Sequence, residues 1–346
     1  MKIAFIDHTY HKKTKSSAFF IDIINQGNNI EFFYWDDDSE EEDIQQIFSD
    51  INTNNFDCVI FWQVIPSYKS LCLLTSNNII FVPMYDACHN WKYFQWYGYR
   101  QFRFISFSKT LHDKLSEMGI VSFYIQYMPA LPENFSQENI HRNNHSVFLW
   151  NRNGSIQINK VLSFIYCNQW NKIIIHEAPD PNMANRQNMN INIGELQIEK
   201  TTWFKNQFEY IQKVTSCDVY ISPRGYEGIG LSFLEAMRMG LCVVAKNNPT
   251  MNEYIENGIN GILFNNYKEL EDLKIQNLIS IKENAFKKSN DIYKEYRKKI
   301  PLLLQFIFCN FEKNTIQHYT VKFLIKDTHL FVKQCYKALL RRIKII

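Results

Sequence analysis

The chain has 346 residues, 46% hydrophobic and 21% charged, which suits a globular protein of two domains each with its own core and excludes a disordered one. Its 38 basic and 35 acidic residues leave a net charge of +3, too balanced for a nucleic-acid binder by bulk electrostatics, so any basic site must be local. Cysteines at 58, 72, 88, 167, 217, 242, 309 and 335 form no CxxC pair, which fits reduced thiols in a cytosolic protein better than a disulfide framework or a zinc site.

The N-terminus, "MKIAFIDHTYHKK", runs straight into a strand pattern and lacks the apolar core of a signal peptide. No apolar run approaches the length of a membrane span, so the chain is expected to be soluble or at most to lie on a membrane. Strand patterns follow at "KIAFID", "IEFFYW", "DCVIFWQ", "IIFVPMY", "FRFISFS" and "VSFYIQY". Between them "SAFFIDIINQG" and "SKTLHDKLSEMG" read as helices, each closed by a glycine suited to a left-handed cap. Strands alternating with helices imply βαβ units and a mainly parallel sheet. Residues 129–146, rich in Pro, Asn, Ser and His, read as an interdomain linker.

A second series begins after the linker with "VFLW", "KIIIHEA", "CDVYISPR", "LCVVA" and "GILF". The expected fold is therefore α/β: two Rossmann-like domains facing a cleft, over residues 1–140 and 146–300, with a helical extension over 301–346. Ligands of such sheets bind beyond the carboxyl ends of the strands. The pattern turns helical after about residue 268, and "ENAFKKSNDIYKEYRKK" is expected to halt at Pro301. In the tail, Phe331, Cys335, Leu339 and Ile343 share one helical face, with Lys333, Lys337, Arg341 and Lys344 on the other. This basic tail can either rest on anionic lipid or pack back on the first domain.

The most informative stretch is "RGYEGIGLSFLEAMRMG", residues 224–240. "CDVYISPR" is a buried strand and "SFLEAMRM" a helix closed by Gly240, so "GYEGIG" lies at the carboxyl end of a strand and the amino end of a helix. Free backbone amides and the positive end of the helix dipole collect there. Gly228 and Gly230 let a ligand approach the backbone, an arrangement suited to phosphate or diphosphate. Glu227 and Glu235 would repel phosphate but accept bonds from sugar hydroxyls on either side of it. A nucleotide-sugar has that order: ribose, diphosphate, sugar. Ser232 and Glu235 also match a capping box, as do Thr250 and Glu253, so for Glu235 a cap and a ligand contact are both open.

This stretch resembles the signature of the family 4 retaining glycosyltransferases of the GT-B fold, with Ile229 where Phe is commoner. The resemblance runs through "GLCVVAKNNPTMNEYIENGINGILF" and covers roughly residues 148–268. It implies transfer of a sugar from a nucleotide-sugar to a saccharide or lipid-linked acceptor with retention, in capsule, lipopolysaccharide or other surface-glycan synthesis. It further implies that Glu227 contacts the donor sugar, Glu235 the ribose hydroxyls, and the amides of Gly228, Ile229, Gly230, Leu231 and Ser232 the sugar and diphosphate. In the resembled family an Arg and a Lys near the second domain's first strand neutralise the leaving diphosphate, places taken here by Arg152 and Lys160. Arg224 is a third cation or pairs with Glu227. The segment Thr201 to Trp203 is placed near the nucleobase, and Asp86 and His89 on the acceptor side.

In "DHTYHKKTKSS" the glycine-rich loop usual after the family's first strand is replaced. The acidic run "WDDDSEEED" could suggest a metal, because Asp-x-Asp binds one in a different glycosyltransferase fold, but it follows an early strand of the other domain and reads as a solvated loop. No catalytic metal and no cofactor are expected. The expected site of action is the cytoplasm, at most at the cytoplasmic face of the inner membrane, with no nucleic-acid partner. Two rivals are a non-catalytic nucleotide-sugar binder of the same fold and a dinucleotide-dependent oxidoreductase. The latter lacks a GxGxxG after either domain's first strand.

Overall fold

A computed structural model describes residues 1–36, 39–133, 135–151, 157–178, 196–222, 224–309 and 321–343, without the side chains of 321 and 337–343. The chain divides into two compact units, one of Met1–Ile125 with Ile300–Ile346 and the other of Gln126–Lys299.

The first unit holds six parallel strands, β1 (Lys2–Asp7), β2 (Asn29–Tyr34), β3 (Cys58–Trp62), β4 (Ile79–Val82), β5 (Arg103–Ser106) and β6 (Ser122–Tyr124), in the order β2-β1-β3-β4-β5-β6. The central strands are unbroken apolar runs, "CVIFW" and "IIFV", because helices cover both faces of such a sheet and leave no polar side. Stacked rings such as Phe61 on Phe81, 5.0 Å apart, fill one layer between sheet and helices. Gly27 and Gly119 take the left-handed conformation that ends the helices before them.

The strand order reverses at β1. In place of a glycine-rich turn, its end carries the buried Asp7, which accepts from the His8 amide at 2.8 Å and the Ser17 hydroxyl at 2.8 Å and pairs with Nδ1 of His11. Of the acidic run, Asp37 and Asp38 lie outside the described residues. Glu40 and Asp43 form a capping box that opens the helix Glu41–Thr53, where three acidic residues in the first turn complement the helix dipole.

The expected stop at Pro301 does not occur: one helix runs Leu278–Phe308 through the proline. Proline removes one amide bond, but Leu303 and Ile307 beyond it are fully buried, and packing outweighs that loss. The buried Arg103 guanidinium donates to the carbonyls of Phe306 and Ile307 and to Asn78, placing a cation on the helix's negative end. The helix Val321–Ile343 packs through Phe323 and Asp327, whose carboxylate accepts from the amides of Tyr93 (2.6 Å) and Phe94 (2.9 Å). Phe331 and Cys335, on the apolar face read from the sequence, are exposed. No described helix is long and apolar enough to cross a membrane.

The second unit is a sheet of β7 (Ser146–Trp150), β8 (Lys172–His176), β9 (Gln197–Thr201), β10 (Val219–Ile221), β11 (Cys242–Lys246) and β12 (Ile262–Phe264), in the order β12-β11-β10-β7-β8-β9. Its pairs are again parallel. β9 carries no apolar run to betray it: "QIEKT" is a charged edge strand. The division between units falls at Ile125 rather than within 129–146, because hydrogen bonds fasten that segment and the residues just before it to the second unit. Tyr254 donates to the Tyr127 carbonyl (3.0 Å) and Arg238 to that of Pro129 (3.1 Å). The buried Lys282 donates to the Arg142 carbonyl (2.6 Å) and pairs with Asp218 at 2.9 Å. Asp218 in turn accepts from the amides of Asn144 and Ser146.

Candidate functional site

In the second sheet the order reverses at β7, with β8 on one side and β10 on the other, so the crevice beyond β7 and β10 is the expected ligand position. The loop after β10 occupies it. Ser222 extends β10 by donating to the Val244 carbonyl at 2.9 Å, and the helix Leu231–Arg238 starts on Gly230. Gly230 has φ +80°, and a β-carbon there would lie 2.0 Å from the ring of the fully buried Phe233. Both conformation and packing therefore require glycine. As a glycine, the N-cap residue itself offers no side chain to this helix start. Glu227 is 4% exposed, Gly228, Ile229, Gly230 and Ser232 are buried, and Arg224 and Leu231 are half-buried. Asn248 donates to the Gly225 carbonyl at 2.7 Å, tying the loop after β11 to this one.

The two readings of Glu235 separate here. With the N-cap at Gly230, Glu235 lies a full turn inside the helix and not at the third position that a capping box requires. The residue retains some accessible surface, yet its carboxyl is set deep among protein atoms. Burial pushes its pKa up to about 7, against the opposing pull of the Tyr210 hydroxyl. Thr250 likewise makes no side-chain cap bond to the short helix Met251–Glu253.

Tyr210, on the helix Gln207–Thr215, joins an aromatic cluster at the carboxyl ends of β7, β8 and β9. His176 stacks on Phe204 (4.7 Å, 13°) and meets Trp150 edge-on at 5.2 Å. Trp150 in turn meets Trp203 at 6.4 Å, and Trp203 is 41% exposed. Burial brings the His176 pKa down to about 4, which leaves the ring neutral near pH 7. No sequence motif marks Tyr210 or His176; only the sheet order brings them to this end.

The sequence-predicted cations divide. Arg152 lies outside the described residues. Lys160, on the helix Ile158–Cys167, has its ammonium 2.5 Å from the Glu271 carboxylate. A cation that the sequence reading passed over, Lys246, ends β11, with its ammonium 4.0 Å from where a β-carbon of Gly225 would lie. Its signal was its place, the last residue of a strand ending beside the loop after β10. Asp86 and His89 belong to the first unit, at the short helix Tyr85–Cys88 that follows β4. There His89 Nδ1 lies 2.7 Å from the Asp86 carbonyl.

Residues 185–299 match the family model described as glycosyl transferases group 1. A comparison with curated proteins returned no match. Among solved structures the chain is similar to the apo form of the lipopolysaccharide outer core galactosyltransferase WaaB (16% identity, TM-score 0.59), covering 88% of this chain and 99% of that one. It is also similar to HepE of Anabaena in complex with UDP-glucose (15%, 0.59), covering 88% and 99%. The sucrose-phosphate synthase of Thermosynechococcus elongatus (11%, 0.61) is matched over 89% and 99%. The chain thus has the GT-B fold of two Rossmann-like units, and a segment of its second unit matches the group 1 glycosyl transferases.

Proposed function

We propose that the second unit binds a nucleotide-sugar and that the chain transfers its sugar, with retention, to a saccharide or lipid-linked saccharide in surface-glycan synthesis. The observation that carries this reading is the helix start on Gly230, whose N-cap has no side chain, set between the buried Glu227 and the deep carboxyl of Glu235. Amides at such a helix start favour negative charge, and the two carboxylates accept hydroxyl donors on either side of it. Glu227 positions the sugar and Glu235 holds the ribose hydroxyls, while the amides from Gly228 to Ser232 receive the sugar and diphosphate. Trp203 offers an exposed face to the nucleobase. That HepE was solved with UDP-glucose, on the same fold, supports a donor of this chemical class.

Charge building on the departing diphosphate is met by Arg152 and by backbone amides, the latter fixed before the reaction begins, which is the efficient form of electrostatic catalysis. The diphosphate itself takes the acceptor's proton, so no protein base is required on the reacting face. We further propose that no metal ion takes part. The test is sugar release and transfer from a panel of nucleotide-sugars, with and without EDTA, on the parent chain and on Glu227→Gln. The expected result is one preferred donor, activity indifferent to EDTA, and a loss of about a hundredfold or more in Glu227→Gln. A donor that binds without turnover would favour the non-catalytic binder, and an EDTA-sensitive reaction would overturn the metal-free mechanism.

A further inference from the structure

Lysines around the second sheet are mostly matched to carboxylates: Lys160 to Glu271, Lys172 and Lys213 to Glu199, Lys200 to Glu177, Lys282 to Asp218 and Lys288 to Glu256. Lys246 is different. It is half-buried, burial holds its pKa below the ordinary lysine value, and among the described residues no carboxylate pairs with it. A cation removed from water without an anion is unfavourable, so its position calls for a compensating charge.

Its surroundings indicate where that charge arrives. On one side the ammonium faces Gly225, in the loop that leads to Glu227. On the other it lies 5.0 Å over the Tyr267 ring, a cation–π contact. Tyr267 in turn hydrogen-bonds the backbone of Gln157, the N-cap of the Ile158–Cys167 helix that follows β7. Lys246 therefore lies between the loop after β10 and, through Tyr267, the start of the helix that follows β7. Gly225 has no side chain to stand between its loop and the ammonium. Lys160, by contrast, is already neutralised by Glu271.

We propose that Lys246 receives an anionic oxygen of the donor, either of its diphosphate or of a carboxylate on the transferred sugar. This rests on the donor-site reading above. Lys246 thus acts in binding and selecting the donor.

The test is calorimetric titration of the full chain and of Lys246→Met and Lys246→Arg. The probes are UDP, ADP, GDP, CDP and dTDP, the matching unphosphorylated nucleosides, and UDP-glucose beside UDP-glucuronic acid. A charge-assisted bond lost from the diphosphate should weaken the preferred nucleoside diphosphate about tenfold or more in Lys246→Met. Nucleoside binding should stay unchanged, and Lys246→Arg should remain within a few fold of the parent. A loss confined to UDP-glucuronic acid assigns the carboxylate instead. If the parent binds a nucleoside diphosphate and Lys246→Met binds every probe as tightly, the inference fails while the donor site stands. If the parent binds no nucleotide at all, the donor reading fails and this inference with it. Urea midpoints equal to the parent's show that the variants are folded.

Discussion

Replacing Glu235 by Gln keeps the shape of the side chain and removes its titration, so it isolates the energetic consequence of a carboxyl set deep among protein atoms. In the folded chain that carboxyl titrates at about 7, and in the unfolded chain at about 4.5. The folded pKa is the higher, so folding takes up a proton between those values. The associated stability is complete below about pH 4.5 and is lost as pH rises through about 7. A shift of this size corresponds to roughly 3 kcal/mol in full, of which about 2 falls between pH 5.5 and pH 8. The residual solvent access of the group makes about 2 kcal/mol an upper value. His176 acts in the opposite direction, because its folded pKa of about 4 is depressed and stability is lost as the unfolded chain protonates below about 6.5. The parent's own pH profile therefore mixes two opposing slopes, and the difference between parent and variant is the informative quantity. Urea unfolding at pH 5.5, 7 and 8 should show Glu235→Gln gaining on the parent by about 1–2 kcal/mol across that range. Nucleoside binding should weaken in the variant, because an amide is a poorer acceptor of ribose hydroxyls than a carboxylate. A parent–variant difference that is flat with pH would refute the placement of Glu235 in a desolvated environment.

Two further substitutions test the scaffold of the site. Gly230→Ala combines a strained left-handed residue with a β-carbon 2.0 Å from a buried ring, so it should cost roughly 2–3 kcal/mol and lower the thermal midpoint. An unchanged midpoint would show that the helix begins elsewhere. Lys282→Met leaves Asp218 buried without its cation and should cost about 3–5 kcal/mol in urea unfolding, while Lys282→Met with Asp218→Asn should recover part of it. A loss below about 1 kcal/mol would mean that water reaches the pair.

Most of the architecture was legible in the sequence because a parallel sheet covered on both faces needs unbroken apolar strands, and "CVIFW", "IIFV" and "CVVA" announce themselves without any tertiary information. The Gly230 turn and the helix after it were equally legible, since only local backbone geometry is involved. β9 was not, because an edge strand can be charged, nor was the passage through Pro301, where distant packing outweighs a local penalty. The segment 129–146 looked like a linker by composition, but composition does not report that Arg238 and Lys282 bind its carbonyls.

At the site the sequence alone determined which carboxylates and glycines flank the helix start, because they are neighbours in the chain. It could not decide whether Glu235 capped the helix, since that turns on whether the helix starts on Ser232 or, two residues earlier, on Gly230. Only the tertiary structure decided that, and only it could place Lys246 beside Gly225 and Tyr210 beside Glu235. The reason is physical: local pattern fixes the conformation of a segment, whereas the charge environment of a side chain depends on strands brought together by the sheet from far along the chain.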